Sequence, residues 1–403
     1  MTGRHRRNQH GRLQGRAEGF PLAPVRHTRP LLFRIPDSTS TDMAAQNGGW
    51  GKLAAEVYRS ELRRSHIGFE RSNSSKAMRQ SFSTSGSGKI LARSFDRVLR
   101  QRPYSFPNVE PRGQTLMMAA DFGGQHKGQY FDTYAFLVFD LDHNSRWLAG
   151  QRLFRQKMMP TARRMCFKAM NDKYRRQALV PFLTLADCIN GWLVLFAVSK
   201  AGGSLFGQIF NGDDLLAGWK PAVRERLLRI LHLSTFLLSG LSSHGQNVLW
   251  VIDEDEVAAN VDQLTQLTNV FARISSNSLA HGLGHLRCGS TRLDDGSLAL
   301  EDLAAICDLA AGAFCEVTTS MFSEGLFPKH NVITALPGGL SWKSQVISSW
   351  LAPNNNYSLH RLSCVIQLDT TSSGINASMI QWHAVPGSVI AAPSSSRFGQ
   401  AGR

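Results

Sequence analysis

From residue 114 onward, apolar runs of strand length alternate with stretches of helical period. Thr115–Phe122 (TLMMAADF) is a short apolar run that carries Asp121 near its end and is followed by Gly123–Gly124. Thr133–Asp140 (TYAFLVFD) is rich in β-formers, Asp142–Asn144 supplies a turn, and Trp147–Phe154 (WLAGQRLF) is predicted to return as a third strand. Three such runs separated by turn residues predict an antiparallel meander. A helical pattern follows over Ala162–Ala186, then a buried strand at Trp192–Val198, a helix near Val223–Leu241, a strand at Val248–Ile252 and a helix near Val257–Ile274. The short strand Leu286–Gly289 precedes a well-patterned helix, Leu298–Glu316. Three strands followed by alternating helices and strands predict an α/β protein with a mixed sheet flanked by helices. Beyond Glu316 the pattern predicts one helix, Trp342–Leu351, and two strands, Leu362–Asp369 and Ser378–His383.

The first 113 residues read differently. Residues 1–42 are rich in Arg, Gly, Pro and Ser/Thr and lack a hydrophobic period, so they are expected to form a disordered basic arm. Residues 43–113 are expected to hold short helices, at Trp50–Phe69 and Ile90–Arg100, around a Ser-rich linker, Ser72–Gly88. Met43 opens the more protein-like text and stands as an alternative start. The expected organisation is therefore an arm (1–42), a linker region (43–113), a core (114–316), a C-terminal extension of that core (317–390) and a disordered tail (391–403).

Charge sharpens this division. The net charge is +15, but residues 1–113 hold 21 Lys/Arg against 8 Asp/Glu, leaving 24 against 22 for the rest of the chain. A basic arm beside a nearly neutral core suits a polyanion such as nucleic acid, because clustered Arg attracts phosphates with little sequence preference. Arg4, Arg6 and Arg7 are the first candidates for that contact, and Lys127, in the loop after Asp121, is another. The six cysteines form no CxxC pair and mostly sit in apolar surroundings, which predicts reduced thiols and a cytoplasmic protein. The longest apolar stretches fall short of the roughly 20 residues a bilayer requires, so no membrane partner is expected.

The candidate chemistry is acidic. Asp121 ends the first strand before two glycines, and Asp253 ends the strand Val248–Ile252, where α/β sheets tend to bind ligands. Asp308 sits on a helix otherwise made of Leu, Ala and Ile, where an acid is costly unless paired, metal-bound or at the rim. Glu301 lies seven residues earlier and so faces the same side. Converging carboxylates of this kind would hold Mg²⁺ or Mn²⁺, cations that prefer oxygen ligands. Each acid also has a plainer reading: Asp121 as a turn, Asp253 as part of an acidic helix start, and Glu301 or Asp302 as first-turn residues complementing the helix dipole.

The strand ending in Asp-x-Gly, the later strand ending in Asp, and the helical Asp308-Leu309-x-x-Gly312 together resemble the ribonuclease H-like superfamily. Within it they are most similar to the uncharacterised DUF3800 family, whose members open with Ile-Asp-Glu-Ser-Gly and close with Gln-x-Ala-Asp-Leu-x-x-Gly. The resemblance implies a ribonuclease H-like sheet over 114–316, with Asp121, Asp253 and Asp308 chelating metal for phosphodiester cleavage. Phe122 departs from the acid that usually follows the first Asp, and Ala305 and Cys307 stand where Gln and Ala are common.

Three functions follow as expectations. The first is a metal-dependent nuclease acting on DNA or RNA. The second is a non-catalytic ribonuclease H-like module that binds nucleic acid or a protein partner, for which the missing acid at Phe122 speaks. The third is an actin or sugar-kinase type phosphotransferase, with Asp121-Phe122-Gly123-Gly124 as its phosphate loop. Other motifs fail: Ser83–Ile90 (STSGSGKI) lacks the first Gly of a P-loop, and His281 with His285 lacks a third zinc ligand.

Overall fold

The computed structural model describes residues 113–206, 216, 218–253, 257–326, 332–333, 336–352, 358–368 and 375–382. The expected arm, the helices at 50–69 and 90–100, and the tail at 391–403 lie outside them.

The core is a mixed sheet covered by helices on both faces. Seven strands lie in the order β5-β4-β1-β2-β3-β7-β8, with the two-residue β6 (Val332–Ile333) added beside β8. β1 (Thr115–Gly123), β2 (Phe131–Asp140) and β3 (Gly191–Ser199) form the antiparallel meander. β4 (Asn247–Ile252) and β5 (Leu286–Ser290) extend it in parallel beyond β1. On the other side β7 (Leu359–Leu368) runs parallel to β3, and β8 (Ile375–Trp382) closes antiparallel to β7. The residues past 316 thus build the same sheet.

Both faces of the central strands are apolar, which explains their uninterrupted hydrophobic text. Met117, Ala119, Leu137, Leu195 and Val251 point to a layer containing α1 (Ser145–Met158), α2 (Lys173–Ala186), α5 (Ala299–Ser323) and α6 (Trp342–Leu351). Leu116, Met118, Phe136, Val194 and Trp250 point to the opposite layer, α3 (Pro221–Leu241) and α4 (Val261–Ser278). Among the described helices α5 alone is long and apolar enough to cross a membrane by length and composition, and most of its residues are buried in this core.

Two sequence expectations are corrected. Trp147–Phe154 is helical, part of α1, and the third strand of the meander is Gly191–Ser199. The buried positions of α1 are Trp147, Leu148, Gly150, Gln151, Phe154 and Arg155, and the large ones among them follow a 3.6-residue spacing that an eight-residue window conceals. Asn144 starts the helix by tying two segments together: its Nδ2 donates to Asp140 O at 2.6 Å and its Oδ1 accepts from Asn190 N at 2.8 Å. The helix expected from Ala162 begins only at Lys173, where the Asp172 carboxylate caps it by accepting from Tyr174 N at 2.9 Å. Residues 159–172 form instead an irregular connection between α1 and α2. Helix α5 starts where Asp294 accepts from the backbone N–H groups of Leu298 and Leu300, each at 2.7 Å, and it continues past Glu316 to Ser323.

Candidate functional site

β1 and β4 are parallel neighbours whose register pairs Ala119 with Val251 and Ala120 with Ile252. The next residue on each chain is an acid, Asp121 and Asp253. Neighbouring strands lie about 4.8 Å apart, so the two acids stand side by side near the carboxyl ends of parallel strands, Asp121 still paired with Ala135 of β2. Ala119 and Val251 face the α5 layer, and period-two alternation turns Asp121 and Asp253 to that same layer.

Helix α5 crosses this face. Cys307 Sγ donates to Ala119 O at 3.4 Å and Thr133 Oγ1 donates to Ala311 O at 3.1 Å, which fixes the helix over β1 and β2. Glu301 and Asp308, about two turns apart, are carried on it. Burial lifts both carboxyls above the usual carboxylate range, and the charge of Asp253 adds to the rise in each. Burial likewise lifts the Cys307 thiol well above its ordinary value, with Asp121 contributing. Both α5 acids therefore lie within reach of the Asp253 charge, and Asp121 lies near the turn of α5 that carries Asp308.

Each acid is held by protein groups. Asp121 Oδ1 accepts from Phe122 N at 2.6 Å, and Asp253 Oδ1 accepts from Thr291 Oγ1 at 3.1 Å. Asp308 Oδ2 accepts from Phe167 N at 2.6 Å, and Cys166 also bonds to that carboxyl. Glu301 is ion-paired with Arg164 at 2.7 Å. Asp302, next to it, is fully buried and accepts from Arg155 Nε and Gln151 Nε2, each at 2.8 Å, so it is a core ion pair. Among the described residues no three His, Cys, Asp or Glu side chains converge closely enough to cage a metal ion as they stand.

The remaining candidates fall elsewhere. Lys127 is exposed in the β1–β2 hairpin, while Arg4, Arg6 and Arg7 lie outside the described residues. In that hairpin Gly124 has φ +88°, a left-handed conformation that favours glycine, and a Cβ there would meet Phe131 O. Its carbonyl accepts from Lys200 Nζ. Phe122 packs with Tyr134 and Phe136 at ring separations of 5.8 and 6.1 Å, in the layer opposite the acids. His281 Nε2 is bonded to Ser242 Oγ at 2.9 Å.

Sequence reading missed the groups that hold the acids, namely Cys166, Phe167, Arg164 and Thr291. The first three come from the α1–α2 connection, where the sequence pattern predicts helix from Ala162. Only the density of Lys and Arg around it gave a signal.

Comparison of the chain with protein-family models and with curated proteins finds no match.

Proposed function

We propose that the chain has a ribonuclease H-like core and acts as a metal-dependent nuclease, with Asp121, Asp253 and Asp308 binding Mg²⁺ or Mn²⁺. The observation that carries this reading is the adjacency of Asp121 and Asp253 at the ends of paired parallel strands, with α5 laying Asp308 across the same face. An antiparallel meander, continued past β1 by two parallel strands and covered on both faces, is the arrangement such a core requires.

The donor chemistry suits the cation, although among the described residues no three such side chains converge on one ion as they stand. All three ligands are carboxylates, which Mg²⁺ prefers. Burial raises the cost of ionising Asp308, the charge of Asp253 adds to it, and a cation between them relieves it. Glu301 fits less well, because Arg164 already answers its charge. The departure at Phe122 removes no ligand, since that side chain belongs to the opposite layer.

When bound, the cation supplies charge neutralisation at the phosphate and an activated water. The chain's own work is to position it. The Phe167 N–H holds Asp308 in place, the Thr291 hydroxyl orients Asp253, and the hairpin backbone fixes Asp121.

The test is cleavage of labelled single-stranded and duplex DNA and RNA with Mg²⁺ or Mn²⁺ against EDTA. The reading expects metal-dependent products that vanish in Asp253→Asn. Salt-sensitive binding without cleavage, unaltered by that substitution, would instead support a non-catalytic nucleic-acid module.

A further inference from the structure

The near-neutral balance of the core conceals a strong segregation of charge. Residues 145–176, which comprise α1, the connection and the first turn of α2, hold ten Lys/Arg and a single acid, Asp172. Residues 114–144 and 177–403 then hold 14 Lys/Arg against 21 Asp/Glu. This segment is an insert between the antiparallel strands β2 and β3 of the meander, so the basic charge is concentrated on one connection.

That element reaches the acids directly. Phe167 N lies 2.6 Å from Asp308 Oδ2, and Arg164 lies 2.7 Å from Glu301. The insert is also braced. Lys343 Nζ donates to Phe167 O at 2.9 Å and lies 3.9 Å from the centre of its ring. The Arg176 guanidinium stacks 4.5 Å over Trp342. Lys168, Lys173 and Arg176 are exposed, and so is Tyr174, with Arg163 5.0 Å over its ring.

We propose that this insert is the surface on which the phosphate backbone of a nucleic acid lies, beside the acids of α5. The proposal rests on the nuclease reading for its substrate class. A fixed array of cations next to an exposed aromatic ring suits phosphates and a stacked base. A membrane-binding helix would need an apolar face as well. On the insert and α2 the exposed large apolar side chains are only Tyr174 and Val180 among the described residues.

The test uses the full chain and a labelled oligonucleotide, single-stranded and duplex, with binding followed by fluorescence anisotropy in EDTA. Affinity is measured across about 0.05–0.2 M salt, the range over which phosphate contacts show as a slope. Wild type is compared with Lys168→Gln/Lys173→Gln/Arg176→Gln and with a control of equal charge, Lys220→Gln/Arg273→Gln/Arg287→Gln. Each lost phosphate contact flattens the logarithmic salt slope by about 0.7–0.9, so the insert variant should be flatter by about 2–3. The control should keep the wild-type slope, and circular dichroism should show all three chains folded alike. An insert variant that binds like wild type overturns the proposal, as does a wild type that binds phosphatidylserine vesicles and no nucleic acid. Because binding is read without metal, the two readings fail separately. Binding through the insert without cleavage in Mg²⁺ sinks only the nuclease, and cleavage with an unaltered insert variant sinks only this surface.

Discussion

The backbone N–H of Phe167 donates to Asp308 Oδ2 at 2.6 Å, tying the α1–α2 connection to the acid-bearing turn of α5. This contact depends on Gly312, one turn further along α5. A Cβ at that position would come within 2.4 Å of the Phe167 ring.

Gly312→Ala should therefore push the connection off the helix. The expected cost is about 1–3 kcal/mol, the usual range for overpacking a tight contact. Hydrogen exchange at the Phe167 amide should accelerate with it. An alanine variant of wild-type stability, with that amide still protected, would show that the ring yields without strain.

The buried acid of α5 and the acid of β1 should respond differently to substitution. Asp302 is fully buried against Arg155, so Asp302→Ala leaves an uncompensated guanidinium in the core. Urea unfolding should show a loss of about 3–5 kcal/mol. Asp121→Asn, at the partly exposed end of β1, should lie close to wild type in the same experiment.

Stability should also fall in mild acid through His232. This α3 imidazole stacks on Phe206 at 4.9 Å, and burial pushes its pKa down to about 4. The unfolded chain binds this proton near pH 6.5, so the unfolded state carries more protons between the two values and stability drops as pH falls through that window. Its contribution is about 3 kcal/mol between pH 6.5 and 4. His232→Phe should remove that part of the slope, read as the difference between the two unfolding curves at each pH. Parallel curves would place the acid sensitivity elsewhere.

Most of the sheet was legible because its strands are buried on both faces and therefore read as unbroken apolar runs. The segments around Trp192–Val198 and Val248–Ile252 are of this kind, and the helical pattern of Trp342–Leu351 coincides with the observed α6. Trp147–Phe154 misled because a short apolar run fits either period. Just ahead of it Asn144 bonds to Asp140 and Asn190, the second of them 46 residues away, a tie that no local window contains. The acids stood out as charges ending apolar strands or interrupting an apolar helix. Their partners did not, because the bonds from Phe167 to Asp308 and from Arg164 to Glu301 join segments far apart in the chain. The basicity of 145–176 was visible in the text but hidden by averaging over the whole core.

The most direct test of the central claim is Mn²⁺ binding followed by electron paramagnetic resonance. Wild type should bind Mn²⁺. Asp121→Asn, Asp253→Asn and Asp308→Asn should each lose that binding while remaining folded, and Glu301→Gln, whose side chain is engaged by Arg164, should retain it. A wild type that binds no Mn²⁺, or binding unchanged in all three aspartate variants, would contradict the account.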